Sequence, residues 1–125
     1  MRLRNVPGAR EVMIENEYVF TEPEGMKGTW SQVFGNDNPI RIEIGMGKGT
    51  FITTLAANNP DINYVGIEKY SSVLLRAVEK QDELQLPNLR FIRMDAEAIC
   101  EVFGDGEVDL SLIHISEPTR PRLIS

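Results

Sequence analysis

The stretch Glu43-Ile-Gly-Met-Gly-Lys-Gly49 carries the densest chemistry in the sequence, an acid followed by three glycines at alternate positions. Gly45, Gly47 and Gly49 let the backbone turn sharply and pass close to a ligand, and amides at the start of a following helix can face an anionic or electron-rich group. Two further acids hold comparable places, Glu68 closing NYVGIE and Asp95 closing LRFIRMD. Glycine-rich turns serve several ligand classes, and spacing separates them. A Walker-type phosphate loop is Gly, four residues, then Gly-Lys-Ser/Thr; counting back from Gly47 puts Ile42 where the first glycine belongs, and Gly49 stands where the hydroxyl belongs. A G-x-G-x-x-G dinucleotide fingerprint begins at Gly45 and Gly47 but meets Thr50 at its third glycine. The pattern that fits throughout is acid-x-Gly-x-Gly-x-Gly.

That pattern resembles motif I of the S-adenosylmethionine-dependent methyltransferases. The cofactor carries a sulfonium and an α-ammonium, so an acid beside the turn suits it where a pyrophosphate would be repelled, and Glu43 is placed to help neutralise its methionine end. Glu68 is placed to accept hydrogen bonds from ribose hydroxyls, as an acid about 20 residues beyond the glycines does in nucleotide-binding sheets; the alternative is a solvated strand end. Asp95 can accept the adenine amino proton or cap the next helix. Three acids that each close a successive strand favour ligand binding over three unrelated structural roles.

The elements that must position these residues follow a rhythm from Ile40 onward. The apolar runs IRIEIG, NYVGIE and LRFIRMDA read as strands, separated by TFITTLAANNP and YSSVLLRAVEKQDELQLP, which read as helices. In the second helix Val73, Leu74, Ala77 and Val78 form one stripe, with Lys80, Asp82 and Glu83 turned to water. Alternating strands and helices imply a parallel sheet with right-handed crossovers, whose ligands bind beyond the carboxyl ends of the strands. AEAICEVF begins a third helix that buries Cys100, and GEVDLSLIHI reads as a fourth strand. Upstream, KGTWSQVFGNDNP reads as a short helix with Thr29 or Ser31 as its cap, Trp30 in the core and a Gly-Asn-Asp-Asn-Pro stop. Residues 1–25 read as a basic arm and turn-rich segment, residues 26–109 as the N-terminal part of a methyltransferase domain, and residues 110–125 as a non-native tail.

Beyond motif I, the segments MRLRNVPGA, KGTWSQVFGNDNPIRIEIGMGKGTFI, NPDINYVGIEKYSSVLLRAVEK and NLRFIRMDAEAI are similar in order and spacing to the bacterial tRNA (guanine-N7)-methyltransferases. The resemblance implies a Rossmann-like class I S-adenosylmethionine-dependent methyltransferase fold, cut after three to four parallel strands. It implies S-adenosyl-L-methionine as methyl donor, held by Glu43, Gly45, Gly47, Gly49, Glu68 and Asp95. It further implies transfer to N7 of a guanine in the tRNA variable loop; the residues themselves leave open a methyltransferase of another substrate or a nucleotide-binding module without catalysis. Family members place that guanine with a segment resembling Ser-Asp-Pro-Trp-Pro-Lys and a basic run after the fourth strand. The catalytic aspartate belongs to that segment, so no catalytic residue is assigned here and this chain is expected to be inactive. Arg2 and Arg4 are candidates for tRNA phosphate contacts.

Leu110 to Ser125, LSLIHISEPTRPRLIS, resembles instead the conceptual translation of a sequencing adaptor. On that reading His114, the sole histidine, is no catalytic candidate. Composition fits a single soluble domain, a little short for a large core: 125 residues, 42% apolar, 26% charged, net charge −6. The charge argues against a protein coated in nucleic acid but allows a local basic patch. Arg2, Arg4 and Arg10 crowd the first ten residues, whereas Glu11 to Glu24 hold five carboxylates and no base. No run approaches the roughly 18 apolar residues of a spanning helix, so a membrane is not an expected partner; no metal is expected either, and the default place is the cytoplasm. Oligomeric state is not readable.

Overall fold

Ile40, Ile42 and Ile44 alternate with Arg41 and Glu43, and such period-two patterning turns one set of side chains to each face of a sheet. In the computed structural model, which describes residues 16–113, this stretch is the strand β2 (Ile40–Ile44). Around it stand β1 (Val19–Phe20), β3 (Asn63–Ile67), β4 (Leu89–Ile92) and β5 (Leu110–Ile113), all parallel, in the order β1-β4-β3-β2-β5. The strands from Ile40 onward are those the sequence predicts. β1 adds an edge that it does not: Phe91 N donates to Tyr18 O at 2.8 Å and Arg93 N to Phe20 O at 3.0 Å, which fastens the end of the acid-rich segment to β4.

Helices cover both faces. On one lie α2 (Thr50–Asn58) and α3 (Ser71–Leu84), burying Ile52, Ala56, Leu74, Ala77 and Val78 against Tyr64, Leu89 and Phe91. On the other lie α1 (Trp30–Phe34) and α4 (Ile99–Val102), the latter preceded by a 3₁₀ turn over Ala96–Ala98. There Trp30 is fully buried with Ile42, Val65, Ile67 and Val102, its ring stacked on Phe103 with centroids 5.1 Å apart.

Local expectations met two corrections. Thr29 stands at the N-cap of α1 without capping it; its hydroxyl donates to Met26 O, and Glu107 accepts from Trp30 N at 3.0 Å instead. The same carboxylate accepts from Gly28 N and Gly104 N, so one acid ties the start of α1 to the approach to β5. Cys100 is exposed, not buried. The single turn of α4 directs Ile99 and Val102 inward at i and i+3, leaving the intervening Cys100 on the solvent side.

The strand order places the site. From β2 the chain steps to β3 and β4 on one side, then returns to lay β5 on the other side of β2. β2 therefore ends at the reversal point, where a crevice opens between connections that diverge to opposite faces. Asp109 sets the register of that return, with its N–H donating to Ile40 O at 2.7 Å and its carboxylate accepting from Ile40 N at 2.9 Å.

Candidate functional site

After Ile44 the chain turns through Gly45, Gly47 and Gly49, whose φ values of 76°, 60° and 79° lie in the left-handed region that glycine occupies without strain. Gly45 N and Met46 N both donate to Ile67 O, at 2.9 and 3.1 Å, folding the turn across the end of β3. Glu68, directly after β3, accepts from Gly47 N at 3.0 Å with one carboxylate oxygen and from Tyr70 N at 3.2 Å with the other. Its carboxylate thus joins the glycine turn to the connection entering α3.

Two adjoining cavities meet at Gly45 and Glu68. The smaller, about 260 Å³, is walled by Ile44, Ile67 and Met94 with Glu68, Tyr70 and Asp95 at its polar side. The larger, about 740 Å³, lies over the glycine turn between Met46, Gly47, Lys48 and the first residues of α2, Thr50, Phe51 and Thr54. An apolar slot with a few convergent acceptors suits a flat heteroaromatic ring bearing amino and hydroxyl donors. Each Glu68 oxygen receives one backbone N–H and keeps acceptor capacity for a ligand hydroxyl.

Asp95 takes up the cap, one of the two roles the sequence left open to it, and stands at a cavity. One oxygen accepts from Glu97 N at 3.0 Å, capping the 3₁₀ turn, while the residue also lines the smaller cavity. Its second oxygen lies 3.9 Å from Lys69 Nζ, and that ammonium also sits 5.2 Å from the Tyr70 ring centroid. Tyr70 and Lys69 were not singled out by sequence reasoning; their position immediately after Glu68 in Glu-Lys-Tyr was the available signal.

The other predicted residues separate. Gly45 borders both cavities and Gly47 the larger, whereas Gly49 borders neither. A Cβ on Gly49 would stand 2.6 Å from Ala77 Cβ, so this glycine lets α2 start against α3. Met46 turns back beneath the turn, its sulfur filling the place a Cβ of Gly66 would take. Glu43 is 1% exposed, alternates with Ile42 and so takes the opposite face of β2, and borders neither cavity. Burial pushes its carboxyl up from 4.5 to about 7, because low polarity disfavours the ionised form. Arg2, Arg4 and His114 lie outside the described residues. Among the described residues no cluster of His, Cys, Asp and Glu could hold a metal ion, and no helix is long and apolar enough to cross a membrane.

The family model described as "Putative methyltransferase" matches residues 37–119, a span that runs past Asp109. The tRNA (guanine-N(7)-)-methyltransferase of Lachnoclostridium phytofermentans is 60% identical over 94% of this chain and 55% of its own length. The Bacillus licheniformis protein of the same name is 46% identical over 94% of this chain and 56% of its own. The chain therefore spans about half the length of the curated relatives it matches. Among solved structures, a 30S ribosomal A1408 methyltransferase from an uncultured bacterium matches with TM-score 0.56 at 21% identity, over 67% of this chain and 41% of that one. A Haemonchus contortus phosphoethanolamine N-methyltransferase, solved with S-adenosylhomocysteine, matches with TM-score 0.55 at 18% identity, over 86% of this chain and 29% of that one. At such identities the likeness is one of fold, a Rossmann-like α/β sheet. The family match, which covers more than half of the sequence and includes the glycine turn, Glu68 and Asp95, decides the assignment: the chain belongs to this methyltransferase family.

Proposed function

We propose that this chain is the cofactor-binding part of an S-adenosylmethionine-dependent enzyme that methylates N7 of a guanine in tRNA. The observation that carries the reading is the cavity pair at the end of β2 and β3, where Gly45, Glu68 and Asp95 converge at the reversal of strand order. When bound, the cofactor supplies an electrophilic methyl group on sulfonium sulfur. Glu68 takes the ribose hydroxyls on the acceptor capacity left by its two backbone bonds, Asp95 takes the adenine amino group, and Gly45 and Gly47 keep the turn low beneath the ligand. Glu43 acts from within β2, through the field of its carboxylate in the ionised form. The names of the relatives support tRNA as substrate, which would place the enzyme in the cytoplasm.

Guanine N7 has a free lone pair at neutral pH, so its methylation needs no strong base. It needs the two reactants held in line and water kept out. The residues that perform that placement belong to the half of the relatives this chain does not span, and the chain alone is proposed to bind cofactor without turning over. Residues 110–125 are proposed to be adaptor-derived. Leu110–Ile113 pairs with β2 as a strand in either case, because pairing draws on backbone groups and β-propensity. Nucleotide reads across codon 109 decide that boundary.

The binding reading is tested by calorimetry on the chain with S-adenosylhomocysteine and, separately, NAD. We expect saturable binding of the first and a loss of at least about tenfold for Glu68→Ala, the scale of one or two charge-assisted hydrogen bonds. Trp30 emission reports whether the variant remains folded. Preference for the dinucleotide, or full affinity in folded Glu68→Ala, would sink the proposal.

A further inference from the structure

The glycine turn has already spent most of its amides. Gly45 N and Met46 N donate to Ile67 O, Gly47 N donates to Glu68 Oε1, and Gly49 N donates to Met46 O at 3.1 Å. A phosphate-binding loop keeps such amides open for its anion, whereas this turn has closed them on the protein. An anionic group that enters the larger cavity above the turn is therefore met by a side chain. Among the described residues, Lys48 is the one basic side chain that lines this cavity. Lys48 is exposed, and among the described residues its ammonium takes part in no ion pair and no hydrogen bond. The acids of the groove on its other side, Glu79, Asp82 and Glu83, stay beyond ion-pair distance of it.

The larger cavity adjoins the smaller one at Gly45 and Glu68. With adenine in the smaller cavity and the ribose on Glu68, the amino-acid arm of the cofactor extends over the turn into the larger. That arm ends in a carboxylate and an ammonium on one carbon, and a lysine attracts the first and repels the second. We propose that Lys48 receives the α-carboxylate of the cofactor and thereby fixes how the amino-acid arm lies over the turn. This rests on the cofactor-binding reading above and adds to it the residue that reads the far end of the ligand. It also bears on transfer. Sulfonium sulfur is pyramidal with three arms; Glu68 holds the adenosyl arm and Lys48 the amino-acid arm, so the two together aim the third, the methyl group, toward its acceptor.

The test is calorimetry on the full 125-residue chain with two ligands, S-adenosylhomocysteine and its decarboxylated analogue, which keeps the adenosine, the thioether and the amine and lacks only the carboxylate. The parent is expected to prefer S-adenosylhomocysteine about tenfold, the scale of one charge-assisted hydrogen bond. Lys48→Gln is expected to lose that preference, weakening S-adenosylhomocysteine about tenfold while the decarboxylated ligand binds at least as well as before, since the lysine no longer repels its ammonium. Lys48→Arg keeps the charge and is expected to keep the preference. Trp30 emission reports that both variants are folded. Equal affinity of the parent for the two ligands overturns the proposal while the cofactor reading stands. So does a Lys48→Gln variant that retains the preference, or one that weakens both ligands alike. A parent that binds neither ligand removes both readings.

Discussion

Glu43 offers a quantitative test of how the sheet treats a buried carboxyl. Its folded pKa is about 7 against 4.5 for the free group, with burial as the cause. Between those values the folded chain keeps a proton that the unfolded chain has lost, so unfolding releases a proton and stability falls as pH rises. A difference of about 2.5 pKa units corresponds to about 3 kcal/mol, complete once pH passes the folded value. Glu43→Gln removes the titration but keeps the size and polarity of the protonated acid. The variant is therefore expected to match the parent near pH 4.5 and to exceed it by about 3 kcal/mol near pH 8, a large share of the stability of a small domain. Urea unfolding followed by Trp30 emission at pH 5, 6, 7 and 8 measures the difference, and other titrating groups cancel between the two proteins. Parallel curves would refute the reasoning. If the cofactor's ammonium lies near Glu43, saturating S-adenosylmethionine should steepen the advantage of the parent's ionised form and shrink the gap at pH 8.

Gly49→Ala places a Cβ 2.6 Å from Ala77 in a left-handed backbone and is expected to cost about 3 kcal/mol, combining conformational strain with overpacking. Gly47→Ala, with open space at its Cβ, should cost only about 1 kcal/mol of strain, so equal unfolding midpoints for the two would contradict the packing role given to Gly49. Glu107→Ala strips an acceptor from Gly28 N, Trp30 N and Gly104 N and is expected to cost about 2 kcal/mol. Its signature is a red shift of Trp30 emission before global unfolding, and an unshifted spectrum would show that α1 holds without it.

The strand–helix rhythm from Ile40 to Ile92 was legible because each element carries its own period: Ile40, Ile42 and Ile44 alternate, and Leu74, Ala77 and Val78 recur at helical spacing. What escaped depends on partners far along the chain. Val19–Phe20 is a strand of two residues, too short for any period, and exists because β4 offers an unpaired edge. The cap of α1 was assigned to Thr29 or Ser31 by local rule, yet the acceptor for Trp30 N comes from Glu107, 77 residues away. Gln81 extends the buried stripe of α3 although it is polar. Its amide donates to Leu86 O and Leu89 O and accepts from Leu86 N, bonds that exist only once the α3–β4 turn has formed. The three acids were found by strand-end position, which is a property of the backbone. Their different settings were not legible, since they depend on where each strand stops: Glu68 and Asp95 lie beyond the strand ends, whereas Glu43 lies within β2 and is buried.

Because the site acids also serve the fold, most substitutions there confuse binding with folding. Glu68 spends both oxygens on backbone amides, so any replacement disturbs the glycine turn. Asp95 divides its work by oxygen, one capping Glu97 N and the other directed toward Lys69 and solvent. Asp95→Asn can keep the cap with its amide oxygen while turning an amino group toward the cavity, where the proposed binding mode calls for an acceptor of the adenine amino proton. Stability should then change by less than about 0.5 kcal/mol, as for an exposed substitution that preserves its cap. The lost pair with Lys69 adds little, because both partners are half-exposed. Affinity for S-adenosylhomocysteine should instead fall about tenfold, since two donors then face each other across the cavity. Asp95→Ala should lose both, with about 1 kcal/mol of stability gone from the missing cap. Calorimetry and urea unfolding on the two variants separate the roles. If Asp95→Asn binds as tightly as the parent, Asp95 is a cap alone, and the cavity's recognition of adenine falls to its apolar walls.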